Sequence, residues 1–94
     1  MKVLNSELYN KQLQELLKEL IVDGDITMAK SFKLYLDTIM INMPTKARKY
    51  KKSIYFDDEN IKDIEHQGLT IPFYQDTALQ TYVLLGIYKN FKQQ

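Results

Sequence analysis

The chain has 94 residues, a formal net charge of +1 and 45% hydrophobic residues, a size that supports one domain burying roughly 60–68% of the surface its unfolded form exposes. This balance excludes a disordered or low-complexity chain, and the absence of cysteine excludes a disulfide framework and a thiolate metal centre. The N-terminus MKVLNSELYN lacks the apolar core of a secretory leader and no run approaches the ~20 apolar residues of a membrane span, so the sequence predicts a soluble cytoplasmic protein.

Residues 2 to 5, KVLN, predict a short strand, and Ser6 is placed to cap a helix through its hydroxyl. Leu13, Leu16, Leu17, Leu20 and Ile21 then recur at three- and four-residue steps, which sets them on one helical face with Lys11, Gln14, Glu15, Lys18 and Glu19 outside. In VDGD, Gly24 can take the left-handed conformation that ends this helix, and Asp25 can cap the next. Ala29, Phe32, Leu36, Ile39, Met40 and Met43 continue at helical spacing up to Pro44, which predicts a stop at Met43. The two helices form an antiparallel hairpin.

The stretch after Pro44 carries Lys46, Arg48, Lys49, Lys51 and Lys52 with no acid among them, followed closely by Asp57, Asp58, Glu59, Asp63 and Glu65. SIYFDDEN is expected to be a loop carrying Tyr55 and Phe56 into the core. IKDIEHQ predicts a strand, Gly68 a hairpin turn, and LTIPFYQ a second strand in which Leu69, Ile71 and Phe73 alternate with Thr70, Pro72 and Tyr74. Pro72 has no N–H for a ladder, so its strand must lie at an edge there, carry a bulge, or stop. QDTALQ makes the next turn, and the apolar run TYVLLGIYK reads as a doubly covered strand at the centre of the sheet. NFKQQ is a polar tail with one aromatic anchor, Phe91, and is expected to fray. The fold class is α+β: a short N-terminal strand and a helical hairpin packed on a small, mainly antiparallel sheet, all in one domain over residues 1–94.

No internal repeat and no glycine-rich phosphate loop occurs. His66 is the sole histidine, hence the one side chain whose ordinary pKa lies near neutrality, and it is a candidate general base; a lone histidine at a strand end is more often an ordinary surface residue. One histidine with scattered carboxylates has no metal-ligand spacing, and Asp57, Asp58 and Glu59 read as a solvated turn rather than a divalent-ion site. Tyr55, Tyr74, Tyr82 and Tyr88 fit cross-strand packing better than base stacking. The five cations can bind a phosphate backbone or an acidic partner, against the plainer reading of a solvated connector.

The order strand, helix, helix, sheet, with the segment YKKSIYFDDENIKDIEHQGLTIPFYQD, resembles the RelE/ParE superfamily of bacterial toxins from type II toxin–antitoxin pairs. The run IKDIEHQGLTIPFY is similar to the family's strand, glycine, strand pattern, which Gly68, Leu69, Thr70, Ile71, Pro72 and Phe73 carry here. This resemblance implies a cytoplasmic toxin held inactive by a cognate antitoxin, with no cofactor, no small-molecule substrate and no membrane association. Family members either cleave messenger RNA on the ribosome, as RelE does, or bind and poison DNA gyrase, as ParE does.

Where nuclease members carry an arginine on the sheet this chain has Thr70, and where they often carry a C-terminal His-Tyr it has Lys89 and Asn90. Cleavage through a 2′-hydroxyl needs a proton acceptor and a positioned cation, and losing such a cation costs ~10²-fold or more in rate. The leading expectation is therefore a ParE-like toxin whose target-binding residues are Lys46, Arg48, Lys49, Lys51 and Lys52. The alternatives are a messenger-RNA endoribonuclease, with Lys49, Lys52, His66 and Lys89 as its catalytic set and Lys46 and Arg48 as further cations, or a non-toxic binding module. Tyr9, Leu8 and the edge carrying Pro72 are candidates for antitoxin contact through a helix groove or a free strand edge.

Overall fold

The computed structural model describes residues 2–22, 24, 26–66 and 68–89. Along them run β1 (Lys2–Asn5), α1 (Glu7–Val22), α2 (Ile26–Lys46), a 3₁₀ turn (Ala47–Lys49), β2 (Lys51–Lys52), β3 (Ile61–His66), β4 (Leu69–Asp76), β5 (Thr81–Leu84) and β6 (Tyr88–Lys89). The sheet order is β1-β5-β4-β3-β2, and β6 pairs with β4 beyond the end of β5. Every pairing is antiparallel except β1 with β5. The architecture is the expected α+β one, a helical hairpin lying on one face of a mainly antiparallel sheet.

Cross-strand register decides which side chains meet the helices. Ile64 stands opposite Ile71, and Phe73 opposite Leu84, and directly opposed residues share a face. These four join Tyr82, Ile87, Tyr9 of α1, Leu36, Ile39 and Met43 of α2, and Ala47 in one core. Phe73, fully buried, forms T-shaped ring pairs with Tyr50 and Tyr82 at centroid distances of 5.7 and 6.0 Å, an arrangement the ring quadrupoles favour.

Ser6 caps α1 by accepting a hydrogen bond from the Tyr9 N–H at 3.0 Å, as its position implied. Its hydroxyl also donates to the Leu85 carbonyl at 2.9 Å, and its N–H donates to the Leu84 carbonyl at 3.0 Å. Farther along α1, Gln12 Oε1 accepts from the Ile87 N–H at 2.7 Å. Three contacts thus fasten the first turns of α1 to the segment joining β5 and β6. Gly24 and Gly68 have φ of +83° and +79°, the turn conformations their positions implied. The cap expected at Asp25 and the Phe91 tail lie outside the described residues.

Four expectations are corrected. First, α2 does not stop at Met43; it continues through Pro44 to Lys46 and tightens into the 3₁₀ turn. Proline removes one backbone bond near the helix end, while Met43 and Ala47, 1% and 3% exposed, lie four residues apart on one face and bury the turn in the core. Second, TYVLLGIYK is neither continuous nor central: β5 ends at Leu84, β6 starts at Tyr88, and β5 alternates half-buried with buried residues, so one face is covered. Third, the centre is β4, which puts Pro72 inside the sheet rather than at an edge. Between the pairs Phe73–Leu84 and Thr70–Tyr88 the chain takes three steps on β4 against four on the facing segment. That extra residue is the bulge alternative, and it lies opposite Pro72. Fourth, Tyr55 is exposed rather than a core anchor and Phe56 is half-buried; the buried residue of that loop is Ser53.

Two measurements follow. A Cβ at Gly86 would stand 2.8 Å from Gln12 Oε1, so Gly86→Ala displaces the Gln12 carbonyl and strands the Ile87 N–H, at a cost of about 1–3 kcal/mol. Denaturant titration of Gly86→Ala beside Gln12→Ala checks this: equal, non-additive losses are expected, and an unchanged Gly86→Ala midpoint would refute it. Burial, reinforced by the Asp37 carboxylate, pushes the Tyr9 hydroxyl up to about 12, whereas the unfolded chain ionises near 10. Tyr9 therefore contributes stability in full below pH 10 that is lost as pH rises from 10 to 12. Tyr9→Phe should flatten that fall, leaving the smaller contributions of Tyr35 and Tyr50, whose burial also raises them.

Candidate functional site

The basic stretch is divided among three elements: Lys46 in the last turn of α2, Arg48 and Lys49 in the 3₁₀ turn, and Lys51 and Lys52 forming β2. All five are exposed. The helix C-terminus explains part of this placement, since cations there are favoured by the macrodipole. β2 adds a feature that the dipole does not explain. Lys51 pairs with Asp63, but Lys52 stands directly opposite Lys62, and like charges opposed across a ladder repel.

Lys62 Nζ approaches the Ala47 carbonyl at 3.4 Å, which places its head at the 3₁₀ turn on the helix side of the sheet. Lys52, directly opposite, shares that side, while Lys51 and Asp63 face the other. Lys52 has one acidic neighbour, Asp57 at 3.5 Å, whose side chain is fully exposed; such a contact contributes little. Lys62 is a member of the cluster that sequence reading missed. The signal was its period-two position on β3, which becomes informative only once the register with β2 is known. Asp63, by contrast, is 8% exposed and accepts from the Ile54 N–H at 3.0 Å, anchoring the loop after β2.

His66 is at the far end of β3. It stacks on Tyr35 with centroids 3.6 Å apart and 18° between ring planes. Burial raises the Tyr35 hydroxyl's pKa, with a smaller contribution from Tyr50. The pair lines a 660 Å³ cavity between the hairpin and the sheet, together with Leu16, Leu20, Phe32 and Leu69. Four residue steps separate His66 from the position opposite Lys52, about 13 Å along the strand.

Lys89 and His66 both pair with Leu69, from opposite sides, which puts two strand spacings, about 9.5 Å, between them. Lys89 is engaged with Glu19 of α1 at 2.8 Å. Thr70 is 1% exposed and presents no group to a ligand. Lys49, Lys52, His66 and Lys89 thus occupy separate places: Lys49 and Lys52 at the basic end, His66 over the cavity, and Lys89 on β6, against Glu19 of α1. Among the described residues no three histidine or carboxylate side chains converge to hold a metal ion, and no helix is long and apolar enough to cross a membrane.

The hairpin leaves apolar surface uncovered. Only Tyr9 of α1 is buried, and Leu13, Leu16, Leu17 and Leu20 are half-buried. A second groove of 410 Å³ on the outer side runs between Leu17 and Ile21 of α1 and Ile26, Ala29 and Leu34 of α2, with Lys30, Lys33 and Asp37 at its rim. Of the residues expected to meet a partner, Leu8 is exposed, but Tyr9 and Pro72 are buried and are corrected to core positions. Sequence periodicity marks a helix face as apolar and does not say how much of that face the sheet covers.

No protein-family model matches the sequence, and no curated protein matches it. The structure is similar to a solved chain described as "Chromosomal ParDE TA system from P. aeruginosa", with a TM-score of 0.72, 12% sequence identity and 97% of each chain covered. At that identity the likeness is one of fold, and it extends over nearly the whole of both chains. The architecture described above, from β1 to β6, is the fold of that solved chain.

Proposed function

We propose that this chain is the toxin of a type II toxin–antitoxin system that arrests growth by binding a macromolecular target, DNA gyrase, and is neutralised by a cognate antitoxin. The observation that carries this reading is the dispersal of the groups a nuclease would use. General-base and oxyanion catalysis require a proton acceptor and cations within hydrogen-bond reach of one phosphate. Here His66 stacks on Tyr35, Lys89 is paired with Glu19, and the remaining cations sit some 13 Å along the sheet. The target-binding residues are Lys46, Arg48, Lys49, Lys51 and Lys52, exposed and gathered at one end of the molecule.

Support for neutralisation by a protein partner comes from the hairpin. Its grooves expose Leu17, Ile21, Ile26 and Leu34, and Ile21, Ile26 and Leu34 are 51%, 55% and 67% accessible. Contiguous apolar surface rimmed by charge marks an association site, and an amphipathic helix laid in such a groove is a common solution.

Induced expression in a bacterium, with reporter-plasmid supercoiling and transcript 5′ ends followed together, tests the proposal. Growth arrest with altered supercoiling and intact messages is expected, and His66→Ala should change toxicity less than about twofold. Loss of a general base costs about 10²–10⁴-fold, so new transcript ends inside codons with the parent chain, lost together with toxicity in folded His66→Ala, would establish the endoribonuclease instead. Soluble, folded chain without growth arrest would leave a non-toxic binding module.

A further inference from the structure

From the cationic end of the molecule we infer that the toxin grips the phosphate backbone of duplex DNA, so that it recognises its target with the DNA in place. This rests on the proposal that the target is an enzyme working on DNA, and it specifies what the basic residues touch. Lys46 ends α2, Arg48 and Lys49 lie in the 3₁₀ turn that follows it, and Lys52 and Lys62 oppose each other beside that turn. The macrodipole accounts for cations at the helix end, but not for two lysines set face to face at an electrostatic cost. An anion lying across them removes that cost.

The composition of the patch selects the kind of anion. Protein interfaces are depleted of lysine and built round an apolar core. Here the two non-cationic residues within 46–52 are turned inward: Ala47 is 3% exposed, and Tyr50 packs in a T-shaped pair against Phe73. Tyr50, the one ring in the stretch, is half-buried and held against Phe73, which leaves no freely exposed face on which an unpaired base could stack, as single-strand binders require. Tyr55 lies across the sheet beside Tyr88, at 6.0 Å. A surface of cations without apolar anchors or stacking rings fits a double-stranded backbone, read through its charge alone.

The test is fluorescence anisotropy of a labelled 20-base-pair DNA duplex with the full chain at 50 and 200 mM KCl. Four to five phosphate contacts predict an affinity loss of about 10²–10³-fold over that range. K46Q/K49Q/K52Q, and K46E/K49E/K52E as the stronger variant, should weaken duplex binding more than 10-fold while melting cooperatively, with growth arrest weakened in parallel. Three results would overturn the inference: duplex binding that is absent or insensitive to salt and to these substitutions; tighter binding of a single-stranded RNA of equal length; or loss, in the variants, of association with gyrase free of DNA, which would make the patch a protein contact. If the variants lose DNA binding but arrest growth like the parent, the DNA contact fails as a toxic element while the toxin reading stands. If the parent binds duplex as predicted and never arrests growth, the toxin reading fails and the DNA contact stands.

Discussion

A proline in the middle strand governs how the rest of this molecule is assembled. Pro72 has no N–H, and its carbonyl accepts from the Leu85 N–H at 2.8 Å, so the missing donor faces the same side. A regular ladder cannot continue there. The facing chain leaves β5 after Leu84, spends one extra residue, and returns as β6. Its freed polar groups, the Leu85 carbonyl and the Ile87 N–H, are taken up by Ser6 and Gln12. Buried backbone groups must find partners, and these partners come from α1. The gap in the sheet is thus what docks the hairpin, and it docks only the first two turns of α1.

That one-sided attachment explains the uneven burial of the helices. Near the docked end Tyr9 is 1% exposed, whereas toward the hairpin turn Ile21 and Val22 are 51% and 83% exposed. The cavity beneath the turn is lined from Thr27, Met28 and Ser31 of α2, and the basic cluster begins at Lys46 on the same helix. From Tyr35, the last α2 residue lining that cavity, to Lys46 the helix rises about 16 Å at 1.5 Å per residue. A ligand filling the apolar groove and one neutralising the cations therefore occupy different surfaces.

Local chemistry was well legible in the sequence. Ser6, Gly24 and Gly68 do what their residue types allow, because a cap or a positive φ depends on a few neighbouring atoms. The apolar periodicity of Leu36, Ile39 and Met43 identified core positions correctly. What failed were inferences that needed tertiary context. Pro44 ends helices on average, yet the burial of Met43 and Ala47 outweighs one lost bond. TYVLLGIYK has the composition of a central strand, and only Pro72, on the neighbouring strand, breaks it. Of the candidate site, the five clustered cations were visible as a charge run, but Lys62 joins them through register. The stacking of His66 on Tyr35 joins residues from α2 and β3 that no linear pattern relates.

The two margins of the sheet differ in a way that controls self-association. β2 is two residues long and consists of lysines, and a short, charged outer strand gives a second chain neither length nor neutrality to pair with. β1 is four residues long and carries Leu4, 49% exposed, and among the described residues no strand pairs with its outer backbone. Growth of the sheet by added strands is accordingly one-directional: it is blocked by charge at β2 and permitted at β1, so the fold can be extended by one chain without seeding a polymer.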